Sequence, residues 1–363
     1  MPIGGSPRRA RVESRHAPRH ISNVKSNHPV KYRPAWFARG PHVHTLWARL
    51  FRRVALPPAV ERLRWDTPDG DFVDVVRLPA PAPDRPRLVL LHGLEGTARS
   101  PYARGLLHEA ARRGWGADLM LFRSCGGEIN RARRFYHSGE TGDLAWVVDR
   151  VLAEFPRARV GLAGVSLGGN VLLKYLGERG DALDPRVVGA AAVSVPFDLG
   201  RGSRWIGRGF GKVYEHWFLT SLKRKTREKA RTHADLVDLA RLERVRTLLE
   251  FDDLVTGPLH GFESADDYYA RSSSLHFLRD IRVPTLLLSA IHDPFLPCEV
   301  LGEVRAAAHD NPITVVQPLH HRVVERRASR RIGGGGQRTD LQFDQFVVPV
   351  TRCTVSDLPT TGV

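Results

Sequence analysis

The stretch "RVGLAGVSLGGNVLLKYLG", residues Arg159 to Gly177, decides how this chain is read. Its opening residues, Arg159–Val165, are small or β-branched and predict a buried strand. An apolar-periodic helix is expected over Gly168–Gly177, leaving Ser166 on the abrupt turn between the two. Gly164-Val165-Ser166-Leu167-Gly168 in that context matches a nucleophile elbow, in which the serine hydroxyl is carried on a strained strand-to-helix turn. Small neighbours at Gly164 and Gly168 are needed there to avoid clashes. The helix that follows aims its N-terminus and free N–H groups at the serine and favours negative charge beside it. The bland alternative is a tight structural turn; a bare G-x-S-x-G is a weak signal without a strand and a helix around it.

Around this segment, short apolar runs alternate with helical patterns from Phe72 onward. Strands are expected at Phe72–Leu78, Arg87–His92, Gly116–Phe122, Arg159–Val165, Val187–Val195, Pro284–Ala290 and Ile313–Gln317. Helices at Pro101–Arg113, Glu140–Glu154 and Gly168–Gly177 fit between them. The alternation predicts an α/β fold with a mostly parallel sheet covered on both faces. The interval from Phe197 to Leu278, rich in Arg, Trp, Phe and Tyr, is read as a mainly helical cap over the C-terminal edge of the sheet, where open α/β folds bind ligands. The domain reading is a basic N-terminal segment over 1–34, a catalytic domain over 35–320 with its cap at about 197–278, and an Arg/Gly-rich tail over 321–363.

At 363 residues and 42% apolar content, the chain can bury one large core. The weakly polar run Val187 to Phe197 is too short to span about 30 Å of hydrocarbon. No tripartite signal opens the chain, so a cytoplasmic protein is expected. Three cysteines, Cys125, Cys298 and Cys353, offer no disulfide framework or metal cluster, and reduced thiols are expected. The net charge of +16 is unevenly spread. Residues 1–34 hold eight Lys or Arg against one Glu and read as disordered. Lys223, Arg224, Lys225, Arg227, Lys229 and Arg231 form a second cluster in a helical stretch. It reads as a solvated helix face, with contact to acidic lipid headgroups as the alternative. That distribution argues against a surface that reads nucleic acid.

An elbow needs an oxyanion hole, and "LVLLHGLEG" supplies one: after the strand ending in His92-Gly93, the N–H of Leu94 can pair with that of Leu167 on a developing oxyanion. His92 is read as orienting that loop. Asp293, after the strand "PTLLLSA", sits where a carboxylate can hold an imidazole in one tautomer; a turn former before Pro294 is the alternative. His292 beside it reads as a loop residue. The base then falls to His321, with His320 as the alternative, 28 and 27 residues after Asp293.

The motifs "LLHGLEGTARSPYARGLL", "YHSGETGDLAWV", "GVSLGGNVLLKYLGE", "SVPFDL", "FDDLVTGPLHGF", "DDYYARSS" and "VPTLLLSAIHDPF" occur in one order. On these, the chain over about Pro34–Pro318 resembles the YheT-type α/β-hydrolases, also called the AB hydrolase 4 family, which include esterases and some lipid-acting members. The resemblance implies a hydrolase sheet with a cap, Ser166 as nucleophile, Asp293 as acid, and Leu94 with Leu167 as oxyanion donors. Three departures stand out: His44 replaces the family's usual Gln, Ser124 replaces a glycine, and the family's C-terminal Gly-Gly-His-x-Gly-Phe segment is missing. The resemblance stops near Leu319, as a shifted reading frame would produce; a nucleotide sequence in which no single-base shift restores Gly-Gly-His would exclude this.

The expected activity is a serine hydrolase cleaving carboxylic esters, including lipid esters, with no metal and no organic cofactor. Trp205, Phe210, Trp217 and Phe218 suggest an acyl chain as ligand, or else form the core of the cap. An acyltransferase using the same acyl-enzyme is the second reading. A catalytically impaired hydrolase fold that binds lipid or acidic partners is the third. Peripheral membrane contact through the basic segments is compatible with each.

Overall fold

The computed structural model describes residues 54–291 and 293–316. Eight strands form one sheet in the order β1-β2-β4-β3-β5-β6-β7-β8. They are β1 (Glu61–Asp66), β2 (Phe72–Leu78), β3 (Arg87–Leu91), β4 (Gly116–Leu121), β5 (Val160–Val165), β6 (Val187–Val193), β7 (Thr285–Leu288) and β8 (Ile313–Val316). β2 is antiparallel to both β1 and β4, and every pairing from β4 to β8 is parallel. The seven expected strands are all present, most of them one to three residues shorter. β1 was not anticipated, because "ERLRWD" keeps only Trp65 buried and carries four charges.

The helices on the sheet are α1 (Pro101–Arg112), α2 (Gly142–Glu154), α3 (Leu167–Arg179) and, below, α8 (Val300–Ala307). Side chains alternate across each strand, so the two faces feed two cores. Val89, Leu91 and Leu162 join α2 and α3 in one apolar cluster. Leu90, Ala163, Leu119 and Leu121 join Ala103 and Leu107 of α1 in the other. Each fully buried aliphatic side chain contributes about 1.5–3 kcal/mol through lost apolar surface.

Between β6 and β7 the chain is helical: α4 (Leu199–Ile206), α5 (Gly211–Ala230), α6 (Leu239–Arg244), a π-helical turn at Asp252–Thr256, and α7 (Ala265–Ser272). This insertion has its own apolar cluster of Leu219, Leu242, Val245, Phe251 and Val255. Among the described residues, no helix is long and apolar enough to cross a membrane. Cys125 is a free, buried thiol.

Candidate active site

Strand β5 lies between β3 and β6, and its last residue delivers the chain to Ser166 at φ 54°, ψ −122°. That left-handed backbone is rare for a side chain other than glycine and is a local strain. Neighbouring bonds hold it in place: Ser166 N–H donates to Val193 O at 2.8 Å, and Ser166 O accepts from the N–H groups of Gly169 and Asn170. The packing explains the glycines. A Cβ at Gly164 would sit 2.3 Å from Gly168 O, and one at Gly168 would sit 2.5 Å from His92 O.

The adjacent loop from β3 is equally constrained. His92 is fully buried, its Nδ1 2.7 Å from Gly93 O and its Nε2 accepting Phe122 N–H at 3.1 Å. These partners assign the proton to Nδ1. Burial pushes the imidazole down to about 4, so it stays neutral. His92 thus orients the loop, as its position suggested. Gly93 comes close to the serine, where an added Cβ would lie 3.1 Å from Ser166 Cβ. Gly93 N–H is taken by the Tyr102 hydroxyl and Glu95 N–H by the Tyr136 hydroxyl, at 2.8 and 2.9 Å. Between them, the Leu94 N–H has no acceptor among the described residues, and neither has the Leu167 N–H at the first position of α3.

Asp293 lies in the turn after β7 and is buried, its Oδ1 accepting Phe295 N–H at 2.9 Å. Desolvation pushes its carboxyl up to about 7; the Phe295 amide and the Ser194 hydroxyl beside it oppose that rise. Ser194 itself has φ 53°, and its Oγ makes no hydrogen bond of good geometry among the described residues.

One cavity of about 170 Å³ brings these parts together. Ser166, Leu94 and Leu167 line it beside Phe295, two residues beyond Asp293. Leu199, Ile206, Phe218, Leu222 and Val255 of the insertion supply much of its apolar wall.

Residues 86–324 match the family described as alpha/beta hydrolase fold. The chain is 43% identical over 265 residues to YheT of Escherichia coli (strain K12), provisionally named an esterase, covering 72% of this chain and 77% of that protein. The chain belongs to the YheT-type α/β-hydrolases. This hydrolase is also 30% identical over 221 residues to a monoacylglycerol lipase of Saccharomyces cerevisiae, covering 58% of this chain and 49% of that one. Against the phospholipase ABHD3 of Mus musculus it is 29% identical over 236 residues, covering 65% of this chain and 57% of that one.

His320 and His321, read as the base, lie outside the described residues, as do His292, the segment 1–34 and the tail 321–363. Of the four aromatic residues proposed for an acyl chain, only Phe218 lines the cavity. Phe210, just before α5, and Trp217 on it are 44% and 38% exposed, and both edge-stack on Tyr214. The basic cluster on α5 is not a uniformly solvated face. Lys225 and Lys229 are buried; Lys229 Nζ donates to Asn130 Oδ1 at 2.7 Å. Lys223 donates to Val245 O at 2.7 Å, whereas Arg224, Arg227 and Arg231 are exposed, Arg227 pairing with Glu243 at 2.6 Å and Arg224 with Glu228 at 3.6 Å. Helical spacing placed these lysines on one helix but could not reveal the carboxylate and carbonyls waiting on the sheet side. Glu95 and Tyr136, both at the cavity, were also passed over: a Glu next to an oxyanion donor carries no motif of its own.

Proposed function

We propose that this hydrolase cleaves carboxylic (acyl) esters through an acyl-enzyme. Ser166 Oγ attacks the acyl carbonyl while a histidine, His321 or its neighbour His320, takes the hydroxyl proton. The same histidine returns that proton to the departing alkoxide. Water then repeats the sequence to release the carboxylic acid and free Ser166. Asp293 holds the imidazole and stabilises its cationic form. The N–H groups of Leu94 and Leu167 receive the charge on the carbonyl oxygen, where one such donor is worth about 10²–10³ in kcat.

The observation that carries this reading is the strained Ser166 at the wall of an apolar cavity, with two amide donors beside it that lack other acceptors among the described residues. The burial of Asp293 fits a carboxyl group whose counter-charge arrives only as the imidazole is protonated. The apolar wall favours an aliphatic acyl group, and relatives named esterase, lipase and phospholipase point to esters, lipid esters among them.

The test is hydrolysis of p-nitrophenyl esters of increasing chain length by the full chain, beside Ser166→Ala and a His320→Ala/His321→Ala double variant. Turnover should disappear with Ser166→Ala and fall by about 10³-fold or more in the double variant. Turnover that survives Ser166→Ala would overturn the assignment. Loss in Ser166→Ala alone would remove both histidines from the mechanism.

A further inference from the structure

We infer that Glu95 and Lys225 form a positioning pair that lets insertion helix α5 set the oxyanion loop of the sheet. The inference rests on the reading of Leu94 as an oxyanion donor.

Glu95 follows Leu94 directly and has φ 55°, so the loop leaves the donor through a strained residue that other contacts must hold. Those contacts are numerous for one side chain. Lys225 Nζ donates to Glu95 Oε1 at 2.8 Å, the Tyr136 hydroxyl donates to the same oxygen at 3.0 Å, and the Ser221 hydroxyl donates to Oε2. Two of these three donors, Ser221 and Lys225, stand one turn apart on α5. Lys225 reaches further, to Cys125 Sγ at 3.2 Å, in the turn after β4.

The pair is shielded from solvent: the side chains of Lys225 and Glu95 are 10% and 9% exposed. An ion pair at such a depth is weak support for stability as a whole, because desolvation offsets its attraction. Its effect on geometry is another matter. Tyr136 closes a ring of contacts by donating its hydroxyl proton to the Glu95 carboxylate while accepting Glu95 N–H, and its ring stacks on Phe122 at 5.0 Å. Phe122 N–H is the group that His92 accepts. The segment Gly93–Glu95 is therefore tied to the sheet at one end through His92 and to the insertion at the other through Glu95. Between these anchors lies the Leu94 amide, whose direction decides whether it meets a carbonyl oxygen that has become tetrahedral.

Glu95 touches no reacting atom in this account; it acts through Leu94. Its removal should lower kcat and leave KM nearly as it was, because the amide meets the developing oxyanion more strongly than the ground-state carbonyl.

The experiment measures kcat, KM and the Ki of an alkyl trifluoromethyl ketone, which adds to the serine as a tetrahedral mimic, for Glu95→Ala, Glu95→Gln, Lys225→Met and Ser166→Ala in the full chain. Glu95→Ala and Lys225→Met should each lower kcat tenfold or more, shift KM less than about threefold, and raise the ketone Ki by the same factor as the fall in kcat. Glu95→Gln keeps one acceptor oxygen for Lys225 and Tyr136 and turns its NH2 toward the Ser221 hydroxyl, which can accept, so it should recover most of the lost kcat. Unchanged kcat in Glu95→Ala, or losses confined to KM, with Ser166→Ala inactive, would overturn the positioning pair and leave the serine mechanism standing. Turnover that persists in Ser166→Ala would remove both. If Glu95→Ala fails to fold, Lys225→Met and the milder Ser221→Ala decide, the latter predicted to lose kcat by about threefold without moving KM.

Discussion

His92 Nε2 accepts the backbone N–H of Phe122 across two neighbouring parallel strands at 3.1 Å. Its other nitrogen gives a proton to Gly93 O at 2.7 Å, so one neutral ring satisfies two buried backbone groups. His92→Ala would strand the Phe122 N–H, at about 1–3 kcal/mol for the unsatisfied donor, while Gly93 O keeps the Gly96 N–H at 2.9 Å; the emptied volume adds a cavity cost. Urea unfolding should report a loss of several kcal/mol. Nitrogen NMR should find the ring in one neutral tautomer from pH 5 to 8, and a titration of that signal near pH 6.5 would contradict its burial.

Gly168→Ala tests the elbow. The added methyl group would meet His92 O at 2.5 Å and Leu91 Cβ at 2.8 Å, neither of which is a flexible side-chain end. Overpacking of this kind costs about 1–3 kcal/mol or more. Thermal unfolding should shift down, and ester turnover should fall further than stability alone explains, since Ser166 would be displaced. A variant as active and as stable as the parent would remove the steric argument.

Asp252 predicts a pH dependence. It accepts from Thr256 Oγ1 at 2.6 Å and from the Tyr269 hydroxyl at 2.7 Å, and desolvation pushes it from 3.8 up to about 6. The folded chain thus holds a proton there that the unfolded chain releases between pH 4 and 6. Its contribution is greatest below pH 4 and is lost as pH rises through about 6, by up to about 3 kcal/mol for a shift of this size. Asp252→Asn cannot ionise, so its stability relative to the parent should improve between pH 4.5 and pH 7. Parallel curves in urea titrations at the two values would refute this.

Arg123 separates buried from exposed charge. It pairs with Asp71 at 2.5 Å and Asp143 at 2.7 Å, and all three side chains are nearly inaccessible. Arg123→Met would leave buried Asp71 without its ion-pair partner and Asp143 with only Arg134 at 3.4 Å, a loss of about 3–5 kcal/mol. Arg204 and Asp266, 3.2 Å apart with both side chains more than half exposed, offer the contrast. Arg204→Ala should cost no more than about 1 kcal/mol in the same denaturation assay.

Much of the fold was readable because strands buried on both faces leave a plain mark. The runs at β3, β4, β5 and β6 are nearly free of charge apart from Arg87 and Asp118, and period two along them does not need to be seen. β1 escaped because an edge strand with one neighbour exposes most of its residues, so its sequence resembles a loop. The elbow at Ser166 was legible from backbone necessity, since few residue pairs other than Gly164 and Gly168 fit around it. Lys225 and Glu95 could not be read in the same way. They are 130 residues apart, and their pairing depends on how the insertion packs, which no local pattern encodes.

The sheet order also has a kinetic meaning. Ser166 grows from β5, which is flanked on both sides and sits mid-sheet, whereas Asp293 follows β7, a four-residue strand next to β8 at the margin. Amide hydrogens of β5 should exchange only through the rarest, most global openings, and those of β7 and β8 through smaller ones. A proposed triad divided this way has a durable half and a perishable half. Mild denaturant would then silence the enzyme while a folded, covalently reactive-looking serine still stood in its place.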